Sequence, residues 1–518
     1  MLLLRVLFIS TFFAQGVPVW AQGGALDTSF GVAGLASAAF IASSQANSVA
    51  LQADGKVVIA GKLRTSLHGS DCALVRYLPS GAPDPSFGTN GLVSLDIGGG
   101  DDVANAVLVQ PDGKIVIAGQ AITNNGQFVL LARYAANGTL DPGFGSAGSV
   151  ITSVLPVYNG GTGVARQADG KLVVAAYCGR SAEFTVLRYT TAGALDTGFG
   201  TAGVVRIPIN SVADAAMAVV IQADQKIVAA GYTLVSGGQD IAVVRLLPSG
   251  ILDASFDGDG KLTTSIGGED RAFAVVQQAD GKLVVAGFTT QGGSERFALI
   301  RFLPNGALDL AFGVNGHATT AFGVGDAVAY SILQQPDGKL VAAGSGVSTN
   351  SYFALARYLP TGALDPSFGT GGLVATLFPA NSAHTGRGLA RQTDGKLVLA
   401  GTIMTNGIEH ASAVRYTTSA ATGLEAEHVA LTPAVVFPNP ATADTEALML
   451  TYFLPQAGEV QIRLFDPVGR LVREARAAHW QPAGSFTETI SISGLPAQLY
   501  WLSLETARSR QLLRLVVR

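Results

Sequence analysis

Residues 108–119 read LVQPDGKIVIAG, an apolar run, a polar turn and a second apolar run. The pair Asp112-Gly113 is typical of a two-residue hairpin turn, because glycine readily adopts the positive φ that such a turn needs. The returning run is rich in Ile and Val, which favour strands. This stretch therefore predicts an antiparallel β-hairpin.

The same turn recurs along the chain at steps of 58, 57, 55, 56, 57 and 57 residues. Its aspartates are Asp54, Asp112, Asp169, Asp224, Asp280, Asp337 and Asp394. An arginine, usually followed by tyrosine, recurs in step with it: Arg76, Arg133, Arg188, Arg245, Arg301, Arg357 and Arg415. So does the Phe-Gly of Leu-Asp-x-x-Phe-Gly, at Phe30, Phe87, Phe144, Phe199, Phe256, Phe312 and Phe368. Three markers in step predict a unit of about 57 residues, present seven times between residues 26 and 416.

Each unit contains four runs that are typical of strands. In the second copy they are residues 104–110, 114–118, 128–134 and 148–154, separated by polar turns and loops. Four antiparallel strands per repeat are typical of a propeller blade, which buries both faces only by stacking against its neighbours. The sequence therefore predicts an all-β fold, a seven-bladed β-propeller over residues 22–416.

The two ends of the repeat array are incomplete in complementary ways. The chain enters at the outer-strand motif around Asp27 and Phe30, and the last repeat stops at Tyr416 without an outer strand. We expect the N-terminal strand to complete the last blade, because a closed ring has no free sheet edges.

A charge pattern supports this closure. In six copies an aspartate lies eight residues after the arginine, and Asp27 and Arg415 remain for each other at the closure. Because the pattern occurs in every copy, it indicates structural ion pairs or turn caps and not a catalytic site.

These motifs resemble the delta-60 repeat family of predicted propeller proteins, whose pattern is Leu-Asp-x-x-Phe-Gly, Gln-x-Asp-Gly-Lys-x-x-x-Ala-Gly and Arg-Tyr. The resemblance covers residues 26–416. It implies a propeller fold and no particular biochemical activity.

The C-terminal region has a different pattern. Residues 417–433 are rich in Thr, Ser and Ala and predict a linker, and residues 434–518 contain about seven short alternating runs. Such runs predict a small Ig-like β-sandwich.

This region resembles the C-terminal sorting domain of the bacterial type IX secretion system, also called the Por system. The motif residues are Pro438, Asn439, Pro440, Asp466, Gly469 and Tyr500. The resemblance implies a Bacteroidetes-type bacterium, the type IX machinery as a partner, and passage through the outer membrane. An ordinary Ig-like binding module is the alternative.

The N-terminus and the bulk composition agree with an exported protein. Residues 1–21 combine a basic start, an apolar run and a small-residue cleavage site, and predict a Sec-type signal peptide. The run is too short for a transmembrane anchor. A net charge of −4 gives no indication of nucleic-acid binding. We expect a location in the medium or at the outer cell surface.

Residues with catalytic or metal-binding chemistry follow no common phase in the repeat. The six histidines have no metal-ligand spacing, and the two cysteines are far apart, so we predict no catalytic residue, no metal and no cofactor.

The loops between the second and third strands of the units vary, whereas the turns on the opposite face repeat. Variable loops on a rigid scaffold are where binding is usually found.

Acidic residues recur where the chain enters the first strand of a unit: Asp102, Asp214 and Asp270, with Asp326 one position away. If that strand is innermost, these residues would surround the mouth of the central channel and bind a cation or polar ligand. The alternative is that they cap turns.

The sequence favours a secreted or surface-attached, non-enzymatic propeller that binds a glycan, a protein or a matrix component. An extracellular hydrolase or lyase with a site at the channel mouth is a second hypothesis. A structural surface-layer component is a third, because the fold alone does not decide function.

Overall fold

The computed structural model describes residues 23–517 except 38–42, 66–68, 180–182, 211–212, 379–383, 406, 419–431, 443–444, 455–457, 467–470, 483 and 507–509. The predicted signal peptide and Gly469 therefore lie outside the described residues, as does most of the predicted linker. The chain divides into two compact units, one of residues 22–420 and the other containing residues 421–518.

The first unit contains seven four-stranded antiparallel sheets, here called blades 1 to 7. The first strand of the chain is β1 (Leu35–Ser37). The strands of blades 1 to 3 are β2 (Ser44–Leu51), β3 (Val57–Thr65), β4 (Gly69–Tyr77), β5 (Leu92–Leu95); β6 (Val103–Val109), β7 (Ile115–Thr123), β8 (Gly126–Tyr134), β9 (Ser149–Thr152); β10 (Asn159–Arg166), β11 (Leu172–Cys178), β12 (Glu183–Tyr189) and β13 (Val204–Ile207).

The strands of blades 4 to 6 are β14 (Asp214–Ile221), β15 (Ile227–Val235), β16 (Gly238–Leu246), β17 (Lys261–Thr264); β18 (Asp270–Gln277), β19 (Leu283–Gln291), β20 (Ser294–Phe302), β21 (His317–Thr320); β22 (Asp326–Gln334), β23 (Leu340–Val347), β24 (Ser351–Tyr358) and β25 (Leu373–Thr376). Blade 7 contains β26 (His384–Arg391), β27 (Leu397–Thr405), β28 (Ile408–Tyr416) and, as its outer strand, β1.

The N-terminal strand completes the last blade, as the sequence predicts. Ala36 of β1 pairs with Ala413 of β28. The segment before β1 adds backbone hydrogen bonds from the Asp27 N–H to the Arg415 carbonyl at 2.8 Å, and from the Arg415 N–H to the Gly34 carbonyl at 3.0 Å. The ring is therefore joined by the two ends of the propeller sequence.

The apolar core lies between the blades. Residues Ile115 to Gly119 of β7 are all buried, which is expected of a strand covered on both faces. Val58 and Leu74 of blade 1 pack with Ile117 and Leu130 of blade 2 in one cluster. Equivalent clusters join the other neighbouring blades, so each blade buries its apolar faces against its two neighbours in the ring.

The recurrent arginine links each blade to the next one. In blade 4, Nε of Arg245 lies 2.7 Å from Oδ2 of Asp253, and its guanidinium lies 4.7 Å from the centre of the Phe256 ring. Its Nη2 donates to Ser255 at 3.0 Å, and its Nη1 donates to the Pro304 carbonyl of blade 5. We call this arrangement the arginine latch.

The structure contains all seven ion pairs that the eight-residue spacing and the closure predict. At the closure, Nε of Arg415 lies 2.8 Å from Oδ2 of Asp27, and Nη1 donates to the Pro79 carbonyl of blade 1. The lysine of each turn adds a second cation to the same aspartate, as Lys396 does to Asp27 at 3.2 Å. The charge pattern is therefore structural and runs around the whole ring.

The second unit is a two-sheet sandwich. Its strands are β29 (Thr432–Phe437), β30 (Ala447–Leu454), β31 (Gly458–Phe465), β32 (Leu471–Gln481), β33 (Gly484–Ser491), β34 (Leu499–Thr506) and β35 (Arg510–Val516). They form a three-stranded sheet, β29-β30-β33, and a four-stranded sheet, β32-β31-β34-β35. Leu450 and Tyr452 from one sheet pack with Ile462 and Leu502 from the other in a single core. Among the described residues of the chain, no helix is long and apolar enough to cross a membrane.

Candidate functional site

The first strand of every blade contains a β-bulge at the same position. In blade 2 the pairing with β7 shifts between Ala104 and Ala106, which leaves Asn105 as the extra residue. The extra residues of all seven blades, here called the bulge residues, are Asn47, Asn105, Thr162, Met217, Phe273, Tyr330 and Arg387. A bulge redirects a side chain out of the regular alternation of its strand.

The seven bulge residues converge on one cavity. Together with Gln120 and Tyr177 they line a space of about 320 Å³ to which every blade contributes. The first strands are therefore the inner strands, and this space is the central channel. Asn105 is the third residue of its strand, which begins at Val103, and lies seven residues before the turn at Asp112, so the cavity lies towards the variable loops.

One half of the channel is polar and connected to the blade backbones. Nδ2 of Asn47 donates to the Ala104 carbonyl at 3.1 Å, and Nδ2 of Asn105 donates to the Gly161 carbonyl at 2.9 Å. Oγ1 of Thr162 continues the series by donating to the Ala216 carbonyl at 2.8 Å. Each side chain thus bridges to the next inner strand, which holds this wall of the channel in place.

The polar wall also contains a hydroxyl network. The Tyr177 hydroxyl donates to Oε1 of Gln120 at 2.8 Å and accepts from Nε2 of Gln127 at 3.0 Å. Burial raises the pKa of Tyr177 above its ordinary value, so this hydroxyl keeps its proton and acts as a neutral hydrogen-bonding group.

The other half of the channel is aromatic and carries a cation. The ring centres of Phe273 and Tyr330 are 5.1 Å apart, and the ring centre of Phe288 lies 6.1 Å from that of Phe273. The guanidinium of Arg387 lies 4.1 Å from the centre of the Tyr330 ring. Among the described residues no carboxylate forms an ion pair with Arg387, and the ring of Tyr330 stabilises its charge.

A second arginine lies next to this half of the channel. Arg271 is placed 5.1 Å from the centre of the Tyr232 ring and 5.7 Å from that of Phe288, and its Nε donates to Gln239. Unlike Arg387, it has an acidic neighbour. Burial, reinforced by the charge of Asp326, raises the pKa of Glu295, whereas the charge of Arg271 opposes that rise.

The predicted acidic residues occupy a different place from the bulge residues. Asp102 is fully buried, and its carboxylate accepts hydrogen bonds from the backbone N–H of Ile97 and, at 3.0 Å, of Ile122. It thereby joins the connection between β5 and β6 to strand β7. Burial raises the pKa of Asp102 to about 6, against the effect of these two hydrogen bonds.

Asp214 and Asp270 have the same role in blades 4 and 5. Asp214 accepts from the Ile209 N–H at 3.0 Å, and Asp270 accepts from the Ile266 N–H at 2.7 Å. Both carboxylates are buried in the connection that leads from one blade into the next. These hydrogen bonds match the turn-capping alternative, and none of the three residues lines the channel cavity.

Asp326 differs from these three. It is exposed, and it accepts a hydrogen bond from the Glu295 N–H at 2.9 Å. Asp101, its counterpart in blade 2, accepts from the Ser70 N–H at 2.8 Å in the same way. The structure therefore does not bring the four predicted acidic residues together, and among the described residues no group of three or more His, Cys, Asp or Glu side chains could hold a metal ion.

The bulge residues were not singled out by the sequence patterns, although a signal exists. Each lies seven residues before its turn aspartate and is flanked by Ala, Gly or Ser in every copy. A variable residue between two small ones, at a fixed phase of the repeat, marks the inner-strand position that lines this cavity in all seven blades.

The motif residues of the second unit are structural where they are described. Oδ1 of Asn439, between Pro438 and Pro440, accepts from the Val516 N–H at 3.0 Å and so ties the start of the unit to its last strand. The Tyr500 hydroxyl donates to the Pro496 carbonyl at 2.9 Å from a fully buried ring. Asp466 is also buried.

Two known families match the chain. Six stretches match the family described as "Domain of unknown function (DUF5122) beta-propeller", at residues 52–87, 110–144, 167–199, 222–256, 278–312 and 335–368. Each runs from the glutamine of a turn to the next Phe-Gly phenylalanine, and the seventh copy is divided between the two ends of the propeller. Residues 435–518 match the family described as "Secretion system C-terminal sorting domain".

Several solved structures are similar to this chain at low sequence identity. The polysaccharide lyase Uly1 is 12% identical, over 72% of this chain and 90% of its own, with a TM-score of 0.40. Sqt1 from Chaetomium thermophilum is 12% identical, over 73% and 96%, with a TM-score of 0.41. A protein of unknown function from Dyadobacter fermentans is 12% identical, over 86% and 95%, with a TM-score of 0.27. No curated protein matches the sequence significantly.

Proposed function

Because the chain consists of DUF5122 β-propeller repeats followed by a secretion-system C-terminal sorting domain, it is exported to the cell surface or the extracellular space, and we propose that it acts there as a non-enzymatic binding protein whose ligand enters the central channel. The sorting domain is the part that engages the type IX secretion machinery. The propeller is the part that binds.

One observation carries this proposal. The seven blades repeat their turns, latches and cores, yet the seven residues that converge on the channel cavity include amides, a hydroxyl, a thioether, two aromatic rings and a guanidinium. A position that only had to fill a seven-fold core would tolerate one residue type throughout. A concave site with a few convergent polar groups among apolar ones is typical of ligand pockets.

The hydrogen bonds that the acidic residues accept favour a binding function over a catalytic function. General acid–base catalysis needs a carboxyl group that can reach the substrate. The carboxylates of Asp102, Asp214 and Asp270 instead accept hydrogen bonds from backbone N–H groups of their own connections, and Asp102 also accepts one from Ile122 of strand β7. The second candidate, a hydrolase or lyase at the channel mouth, has to use these residues or others in a rearranged state.

Blocking the channel tests the proposal. The full chain would be screened against an array of soluble saccharides and extracellular proteins, alongside the variant Met217→Trp, whose larger side chain fills the cavity. The control is Val314→Trp on the surface, where Val314 is 70% exposed. We expect a ligand whose affinity falls at least tenfold in Met217→Trp and is unchanged in Val314→Trp.

Two outcomes would contradict the proposal. A ligand that binds both variants as tightly as the parent chain would place the site outside the channel. A ligand that is turned over, with turnover lost in Asp102→Asn and Asp270→Asn and folding retained, would establish the enzyme hypothesis instead.

A further inference from the structure

The channel cavity contains a cation, and no anionic side chain is among the described residues that line it. Arg387 is the only charged side chain among the nine residues that line the cavity. It is half-buried, it lies over Tyr330, and no described carboxylate pairs with it. An aromatic face supports a guanidinium from one side and leaves N–H donors for an anion. The cavity is therefore electrostatically suited to an anionic ligand.

The geometry of the anion can be inferred from the donor. A guanidinium presents N–H groups in a planar fork that matches a carboxylate with two parallel hydrogen bonds. The same fork is used in the arginine latches, where Nε and Nη groups bind a carboxylate and neighbouring oxygens. In the channel, the carboxylate has to come from the ligand.

The rest of the ligand has one apolar face and several polar groups. Phe273 and Tyr330 form a continuous aromatic wall with ring centres 5.1 Å apart. Opposite them, the amides of Asn47 and Asn105 each make one hydrogen bond to a backbone carbonyl, and no other hydrogen bond is made to either amide among the described residues. Each amide therefore keeps one N–H and its oxygen for a ligand, which suits hydroxyl groups.

The size of the cavity suits a small ligand such as a single sugar ring. A volume of about 320 Å³ lies at the lower end of small-molecule sites, roughly 300–1,000 Å³. All seven blades surround the cavity, so a long chain cannot lie across it and has to enter end-on.

On these grounds, and resting on the proposed channel function, we propose that the cavity binds one hexuronate residue, with its carboxylate on Arg387, a pyranose face on Phe273 and Tyr330, and its hydroxyls on the amides of Asn47 and Asn105. The residue is either a free hexuronate or the terminal unit of an acidic polysaccharide. Both present the same chemistry to the channel.

The experiment measures binding to the full chain by isothermal titration calorimetry. The probes are D-glucuronate and D-galacturonate, the neutral sugars glucose and galactose, acetate, and an oligogalacturonate. We expect at least one hexuronate to bind at least tenfold more tightly than its neutral counterpart and than acetate. Tighter binding of the oligogalacturonate than of the monosaccharide would identify a chain end as the source, and the reverse a free sugar.

Variants assign the contacts. Arg387→Gln is expected to weaken hexuronate binding at least tenfold and to leave neutral sugars unaffected, and Tyr330→Leu is expected to weaken both. The matched control is Arg64→Gln, which makes the same change in net charge at an exposed arginine of a separate pocket, away from the channel. Thermal unfolding of each variant shows that it is folded.

The results also separate this inference from the proposed function. Equal affinity for hexuronate and neutral sugar, equal affinity for acetate, or no effect of Arg387→Gln would overturn the hexuronate site. If another ligand is lost in Met217→Trp while no hexuronate binds, the channel function stands and the hexuronate inference is wrong. Hexuronate binding that survives Met217→Trp contradicts both.

Discussion

Each arginine latch concentrates several interactions on one buried side chain. The guanidinium of Arg245 bonds Asp253 and Ser255 in its own blade and the Pro304 carbonyl in the next, and it covers the ring of Phe256. Removing one member of a buried ion pair leaves the other charged and unpaired, which costs about 3–5 kcal/mol.

We predict that Arg245→Ala destabilises the propeller by about 3–5 kcal/mol, because Asp253 is left buried with a weaker set of partners. The control is Arg206→Ala, which breaks an exposed pair with Glu183 whose N–O distance is 2.7 Å and should cost at most about 1 kcal/mol. Urea denaturation followed by fluorescence measures both. Equal losses in the two variants would show that the latch is no stronger than a surface pair.

Two buried carboxyls predict opposite dependences of stability on pH. Burial raises the pKa of Asp102 to about 6, and the charges of Asp96 and Asp71 add to the rise. A carboxyl whose pKa is higher in the folded state favours folding when it is protonated. Its contribution is therefore complete below about pH 4 and is lost as the pH rises through about 6.

We predict that the stability advantage of the parent chain over Asp102→Asn shrinks as the pH rises from 4 to 7. Asp365 serves as the contrast. Burial opposes its charged form, but hydrogen bonds from Ser367 and Lys339 and the charge of Arg357 lower its pKa to about 2. The advantage over Asp365→Asn should be constant above about pH 4 and lost as the pH falls towards 2. Urea midpoints from pH 2 to 8 test both, and a constant difference for Asp102→Asn between pH 4 and 7 would refute the first.

At the scale of the element, the short strand β1 closes a ring whose other blades are continuous in sequence. Its three residues pair with β28, and Phe30 in the preceding segment is fully buried in the cluster between blades 7 and 1. Without this segment, β28 would be an edge strand with unpaired backbone groups, and such edges pair with other chains.

We predict that a chain starting at residue 38 forms soluble oligomers or aggregates and loses thermal stability by comparison with a chain starting at residue 22. Both lack the predicted signal peptide and differ only in the closing segment. Size-exclusion chromatography with light scattering gives the oligomeric state, and differential scanning calorimetry gives the melting temperature. A monomeric variant with an unchanged melting temperature would mean that the closure contributes nothing.

For the whole molecule, the sequence predicted the features that repeat in every blade. It missed the channel site, whose residues differ from blade to blade. The turns, the Phe-Gly motifs and the Arg/Asp spacing recur in seven copies, so both the blades and the ion pairs follow from local sequence. The closure also followed, because Asp27 and Arg415 each lack a partner within their own repeat.

The channel site could not be predicted in the same way. Regular alternation along a strand does not tell which inner-strand residue faces the axis, because the bulge after Ala104 changes the alternation at Asn105. For the same reason the acidic residue Asp102 could be placed near the channel mouth but not oriented. Its side chain turns towards backbone N–H groups that the sequence cannot place in space.

The closure of the ring by β1 also constrains the order in which parts of the chain can fold. Synthesis delivers the N-terminal part of a chain first, and domains commonly begin to fold in that order. Phe30 and Ala36, however, are buried against Ala413, which emerges almost at the end of the propeller. Phe30 and Ala36 therefore cannot be buried until the last blade has been synthesised. The ring is completed only shortly before the sorting domain is made.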